Sequence, residues 1–147
     1  MNGLESLYQQ LILEEAKARR GEGPLPDAQA SHFERNPSCG DEITMRVRLS
    51  EDGERIEALA WEGDGCSISM ASASVLCGLA EGAGVAQTRE RIDAFRTMLR
   101  TRTGEAPDEE LLEDAVAFQG VSKFVMRVKC AMLAWVALEA AIAEAGA

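Results

Sequence analysis

The sequence lacks an apolar run long enough to cross a membrane. Its longest apolar stretches, such as residues 131–136, fall far short of the roughly 20 residues that a spanning helix needs. No basic segment followed by an apolar one opens the chain, so we expect no secretory signal and a reducing, cytoplasmic compartment. Positive charge is also scarce: 15 Lys and Arg stand against 25 Asp and Glu, a net charge of −10. Because an acidic surface repels a phosphate backbone, we expect neither a membrane nor nucleic acid as a partner.

Length and hydrophobic content indicate one folded domain spanning residues 1–147. A chain of 147 residues has the usual size of a domain, and 46% of hydrophobic residues is enough to bury a core without disulfide bonds. This composition excludes an intrinsically disordered chain. The sequence contains no internal repeat and no low-complexity tract.

Hydrophobic periodicity predicts an α+β fold. Apolar residues recur at helical spacing near the start of the chain, which predicts a leading helix that ends before Gly21. Apolar residues alternate over residues 43–49, and after a turn residues 56–61 complete an antiparallel hairpin. Helical patterns follow at residues 67–80, 88–101 and 121–144, with a further helix start near Pro107. We therefore expect a small antiparallel sheet of about three strands, the third not located, with helices packed on one face.

Four cysteines carry most of the chemical information, because a reducing compartment favours metal or redox chemistry over disulfides. Cys39 lies in a turn with Pro and Gly that can present its thiol and the Asp41 carboxylate in the same direction. Cys66 stands at the start of a predicted helix, where the helix dipole favours a thiolate. Cys130 lies within the last predicted helix. Three thiolates and one carboxylate could form a tetrahedral ligand set for zinc, or for the irons of a small iron–sulfur cluster.

The cysteines also allow a simpler interpretation, in which three of them are buried and unconnected. No CxxC pair is present, and free cysteine is among the most buried residue types. Cys77 is not assigned to the site, since it lies roughly 16 Å along a helix from Cys66 and has the apolar neighbours of a buried thiol. His32, the single histidine, is not expected to be a ligand.

Three sequence motifs surround the cysteines: NPSCGD at residues 36–41, GDGCSIS at residues 63–69 and RVKC at residues 127–130. In this order, and over nearly the whole chain, they resemble the IscU/NifU-like scaffold family and in particular its SufU branch. Lys129 stands where the IscU branch carries a histidine, the stretch between the second and third motifs is longer than in IscU, and the chaperone-recognition motif of IscU is missing. These departures are typical of the SufU branch.

The resemblance implies a SufE/NifU (IscU)-like fold and one zinc ion bound by Cys39, Asp41, Cys66 and Cys130. It implies a zinc-dependent sulfurtransferase of iron–sulfur cluster assembly that accepts persulfide sulfur onto Cys39 from a SufS-type cysteine desulfurase, upstream of further Suf assembly proteins. Arg127 lies on the same helical face as Cys130, where its guanidinium could pair with Asp41 or with carboxylates of the partner. An ordinary solvated arginine is the alternative.

Two further functions use the same four residues. The protein could be a scaffold on which a [2Fe–2S] or [4Fe–4S] cluster is assembled before transfer, since thiolates also bind iron. It could also be a structural zinc module without chemistry, which would lose its fold without the metal. Lys129 and the longer stretch before it favour the sulfurtransferase over the scaffold.

Overall fold

The computed structural model describes residues 3–101 and 106–146. Its sheet has three antiparallel strands, β1 (Ala30–Arg35), β2 (Glu42–Leu49) and β3 (Ile56–Asp64), in the order β1-β2-β3. The predicted hairpin is formed by β2 and β3. The third strand, which the sequence pattern did not locate, precedes them as β1. The predicted α+β class is confirmed.

Strand alternation places one face of the sheet in the core and fixes the register of β2 against β3. Residues 43, 45, 47 and 49 of β2 are buried, as expected for side chains that share one face. A Cβ on Gly63 would lie 2.5 Å from the carbonyl oxygen of Glu42, so only glycine permits this close approach of the strands. Glu42 pairs with Asp64. Continued by one residue, this register brings Asp41 opposite the turn that precedes Cys66.

Among the residues that the structure describes, five α-helices and one 3₁₀ segment accompany the sheet. They are α1 (Gly3–Ala18), α2 (Ser67–Ala80), α3 (Val85–Arg100), α4 (Glu109–Leu112), the 3₁₀ segment (Glu113–Lys123) and α5 (Val125–Glu144). Helix α5 packs on β1 and β2, α2 packs on β3, and α1 packs against α2. None of the described helices is long and apolar enough to span a bilayer.

Helix boundaries differ from the sequence prediction in the region after α3. The last helix begins at Val125 rather than near residue 121, because residues up to Lys123 belong to the 3₁₀ segment. Pro107 precedes the helix instead of occupying its first turn, and Asp108 caps α4 by accepting a hydrogen bond from the Leu111 amide at 3.1 Å. Local patterns do not distinguish 3₁₀ from α geometry in such short segments.

The aromatic core holds α2, α3 and α5 together. Trp135 of α5 stacks on Phe95 of α3, with ring centroids 3.9 Å apart and an angle of 8° between the rings. The Trp135 indole donates to the Ser72 hydroxyl of α2 at 2.8 Å, and Ser72 donates in turn to the Ala131 carbonyl at 2.6 Å. These buried contacts set the position of α2, which begins next to Cys66, relative to α5, which carries Cys130.

Candidate metal centre

The site lies where three parts of the chain meet: the β1–β2 turn, the start of α2 and the first half of α5. The turn is closed by hydrogen bonds from the Asn36 amide to the Asp41 carbonyl and from the Gly40 amide to the Asn36 carbonyl, both 2.8 Å. Gly40 adopts a φ of +78°, which favours glycine. This tight turn presents Cys39 and Asp41 toward α5.

The structure brings Cys39, Asp41 and Cys130 into one cluster, in which one ligand atom from each lies within 4.8 Å of the others. The two sulfurs of Cys39 and Cys130 are 3.5 Å apart. Cys66 stands outside this mutual set, but its sulfur lies 3.4 Å from an Asp41 carboxylate oxygen. The four residues predicted from the sequence as metal ligands therefore converge on Asp41.

These separations suit a tetrahedral zinc site. Zn–S and Zn–O bonds of about 2.3 and 2.0 Å place two thiolates about 3.8 Å apart, and a thiolate about 3.5 Å from a carboxylate oxygen. The observed S···S distance of 3.5 Å and S···O distance of 3.4 Å are close to both values. Soft thiolates with one carboxylate also suit zinc better than magnesium or calcium. The residues present thus fit the metal that the resemblance implies.

The pKa of the Asp41 carboxylate and the pKa of the buried Cys130 thiol are shifted in opposite directions. Burial alone would raise the pKa of Asp41, but hydrogen bonds from Ser69, Cys39, Cys66 and Cys130 outweigh it and hold that pKa below its usual value. Burial raises the pKa of Cys130, and the neighbouring Cys39, Cys66 and Asp41 raise it further. Without a metal ion Cys130 is therefore a neutral thiol, and a cation in the cluster would favour its thiolate.

The candidate ligands differ sharply in exposure. Asp41 and Cys130 are buried, with 5% and 2% of their surface accessible, whereas Cys39 is exposed and Cys66 is partly exposed. Cys39 owes its exposure to its position at the tip of the β1–β2 turn. An external reactant can therefore reach the sulfur of Cys39 more easily than that of Cys130.

Cys77 lies outside the cluster, as expected from its sequence position. It is buried within α2, and burial raises the pKa of its thiol to about 12. Its sulfur packs against Gly21, where an added Cβ would approach it to 2.6 Å. Cys77 is therefore a packing residue beneath the segment that follows α1. His32 is also remote from the cluster: its ring nitrogens contact Glu34 and Glu144, each at 2.9 Å.

The predicted pairing of Arg127 with Asp41 is absent from the described part of the chain. Arg127 and Lys129 are both exposed on the first turns of α5. They follow three exposed apolar residues, Phe124, Val125 and Met126, which are 62%, 54% and 58% accessible. The role of Arg127 in partner docking stays a prediction.

Two polar residues at the cluster received no role from the sequence. The Ser69 hydroxyl donates to Oδ2 of Asp41 and lies 3.5 Å from the Cys66 sulfur. The Asn36 side-chain amide lies 3.9 Å from the Cys130 sulfur. Both residues belong to the cysteine motifs. The spacing of Ser69, three residues after Cys66 and hence on the same helical face, is a signal that could have identified it.

Comparison with known proteins identifies the family. The family of the NifU-like N terminal domain matches residues 7–131, and the chain belongs to it. The resemblance to the IscU/NifU-like family predicted from the motifs is therefore confirmed.

Curated relatives cover nearly the whole chain. It is 40% identical to the zinc-dependent sulfurtransferase SufU of Bacillus subtilis, over 96% of this chain and 92% of that protein. It is 34% identical to the iron-sulfur cluster assembly scaffold protein IscU of Streptococcus pyogenes, over 97% of this chain and 86% of that protein.

Solved structures show the same fold. The structure of a protein from Fervidobacterium islandicum, described as an iron-sulfur cluster assembly scaffold protein for the SUF system, superposes with a TM-score of 0.83 at 31% identity. It covers 93% of this chain and 97% of that one. The N-terminal NifU-like protein of Brucella abortus gives a TM-score of 0.84 at 26% identity, over 96% and 95% of the two chains.

Proposed function

We propose that this protein is a zinc-dependent sulfurtransferase of iron–sulfur cluster assembly, which accepts persulfide sulfur onto Cys39 from a SufS-type cysteine desulfurase. The observation that carries the proposal is the exposed thiol of Cys39 at a cluster whose other groups, Asp41 and Cys130, are buried. The identity with the sulfurtransferase SufU supports it. A reducing cytoplasm is the matching compartment, since the thiols must stay unoxidised.

The sulfur transfer needs only a free thiolate at Cys39. This thiolate attacks the outer sulfur of a cysteine persulfide on the desulfurase, the sulfur–sulfur bond breaks, and the cysteine of the donor leaves as a thiolate. Cys39 then carries the persulfide, and no external oxidant or reductant is consumed. A downstream Suf assembly protein with its own acceptor thiol would remove the sulfur by the same exchange.

In this proposal Cys39, Asp41, Cys66 and Cys130 would hold one zinc ion. A bound zinc ion supplies a positive charge that keeps cysteine ligands deprotonated at neutral pH and protects them from oxidation. Burial raises the pKa of Cys130, and a neighbouring cation would favour its thiolate. Cys39 would react when its sulfur is not bound to the zinc ion, and its exposure lets the desulfurase reach this sulfur.

A surface next to the site supports docking of the desulfurase. Phe124, Val125 and Met126 are consecutive, apolar and exposed, and contiguous exposed apolar surface is typical of interaction sites. Arg127 and Lys129 follow them on α5, so this surface is cationic although the chain carries a net charge of −10. We expect it to bind an apolar patch bordered by carboxylates on the desulfurase.

The alternative function is a scaffold for a nascent [2Fe–2S] or [4Fe–4S] cluster. The identity with the scaffold protein IscU of Streptococcus pyogenes favours it, and the same thiolates could bind iron. The two functions predict different effects of the bound metal on sulfur chemistry.

Sulfide release by the desulfurase separates the two functions. The enzyme is mixed with cysteine, a reductant and zinc-loaded, metal-free or iron-loaded protein. The sulfurtransferase predicts strong acceleration by the zinc-loaded form alone. If zinc blocks turnover and the iron-loaded form accumulates a coloured cluster, the scaffold function is correct instead.

A further inference from the structure

We propose that Ser69 is a positioning residue, which holds the Asp41 carboxylate in the orientation that the metal centre requires. This inference rests on the proposed zinc site. It gives Ser69 a role that neither the cysteine motifs nor the comparisons assign.

The Asp41 carboxylate is held by donors at the start of α2. The Ser69 hydroxyl donates to Oδ2, and the Cys66 amide donates to Oδ1 at 3.3 Å. The carboxylate also packs against Gly65, where an added Cβ would lie 2.8 Å from its Cγ. Asp41 and Ser69 are 5% and 2% accessible. The carboxylate is therefore confined before any metal ion binds.

Ser69 is oriented toward the cluster rather than toward its own helix. Cys66 is the N-cap residue of α2 and makes no side-chain cap, so the start of this helix is satisfied in part by Asp41 from another segment. The Ser69 hydroxyl contacts Asp41 and lies 3.5 Å from the Cys66 sulfur. One buried hydroxyl thus contacts two of the four proposed ligands.

The first experiment measures how fast zinc leaves the protein. Zinc-loaded protein is mixed with an excess of a chromophoric chelator, and transfer of Zn²⁺ is followed by absorbance. Ser69→Ala should release zinc faster, and its affinity should fall by about 10-fold or more, the usual effect of removing a partner of a metal ligand. Ser67→Ala is the matched control, since Ser67 lies in the same first turn of α2 but is exposed; it should behave as the wild type.

Two further variants show whether Ser69 acts through its hydroxyl and through Asp41. Ser69→Thr keeps the hydroxyl and should restore slow release. Ser69→Gly, which also removes the hydroxyl and adds no metal ligand, replaces Ser69→Ala if that variant does not fold. In an Asp41→Ala background, Ser69→Ala should change zinc affinity little, because the residue on which it acts is gone. Co²⁺-loaded Ser69→Ala should show a shifted ligand-field spectrum, while Ser67→Ala should not.

The proposal fails if Ser69→Ala releases zinc at the wild-type rate, if Ser69→Thr releases it as fast as Ser69→Ala, or if the effect persists without Asp41. None of these measurements contains a sulfur donor. Their outcome is therefore independent of the sulfurtransferase proposal, which fails only in the desulfurase assays.

Discussion

The sulfur atoms of Cys39 and Cys130 lie 3.5 Å apart, although the two residues are 91 positions apart in the sequence. One belongs to an exposed turn and the other to the buried face of α5. The contact lies between the β1–β2 turn and α5. A metal ion bound by both sulfurs, or a disulfide between them, would therefore connect the turn to the helix.

Metal-free protein should form a disulfide between these two cysteines under mild oxidation. The two sulfurs are already in contact, and Cys39 is exposed, so the oxidant can reach its sulfur. Zinc should prevent the reaction, because bound thiolates are protected. Non-reducing peptide mass mapping after treatment with one equivalent of diamide gives the pairing. A Cys66-containing disulfide as the main product would show that the contact is not the reactive one.

Cys39→Ala should remove sulfur acceptance without unfolding the protein, because Cys39 is exposed at the tip of a turn. Cys77→Ala is the matched control: it should cost about 1 kcal/mol of unfolding free energy as a typical core change, yet keep activation of the desulfurase. Thermal unfolding and sulfide release measure both. If Cys39→Ala were unfolded both with and without added zinc, a purely structural zinc site would be indicated.

Phe124→Ala should weaken docking of the desulfurase. The side chain is 62% exposed, so its loss should leave stability almost unchanged and raise the concentration for half-maximal activation about 5- to 10-fold, or about 1–1.4 kcal/mol of binding. Maximal activation should stay the same. Phe33→Ala is the control, as Phe33 is 55% exposed but lies on β1. An equal effect of both variants would place the docking surface elsewhere.

His32 should make the stability of the protein depend on pH. Hydrogen bonds to Glu144 and Glu34 raise its pKa above the ordinary value, so protonated His32 stabilises the folded state. This contribution is fully present below the unfolded-state pKa of about 6.5 and is lost as pH rises through the higher folded-state pKa. Because the site is partly exposed, we expect less than about 1 kcal/mol. Urea unfolding of wild type and His32→Gln from about pH 6 to about pH 9 measures it; a constant difference would contradict the assignment.

The sequence predicted the fold class, because that class follows from local patterns, whereas one shared site for the three motifs was implied by the family resemblance. Alternation over residues 43–49 defines β2, and the turn residues Pro37 and Gly40 direct Cys39. The sequence pattern does not locate β1, since only one residue of this strand, Ala30, is buried. The 3₁₀ segment was predicted in part as helix because its hydrogen-bond pattern depends on tertiary packing.

At the site, residue types were predictable but contacts were not. The cysteines and Asp41 stand out by chemistry. The spacing of Ser69 from Cys66 indicates a shared helical face, but its contact with the Asp41 carboxylate depends on the tertiary structure. Likewise, the exposure of Phe124 and Met126 depends on where α5 begins. An amphipathic helix starting near residue 121 would not have indicated an exposed apolar surface.

Locating the transferred sulfur tests the proposed role of Cys39 without intermediate assumptions. Zinc-loaded protein is incubated with the desulfurase and cysteine labelled with ³⁵S, then alkylated, digested and mapped by peptide mass and radioactivity. We predict a persulfide on the peptide that contains Cys39 and none on the peptides that contain Cys66, Cys77 or Cys130. Label that accumulates on another cysteine, or none on a protein that still binds zinc, would contradict the sulfurtransferase function.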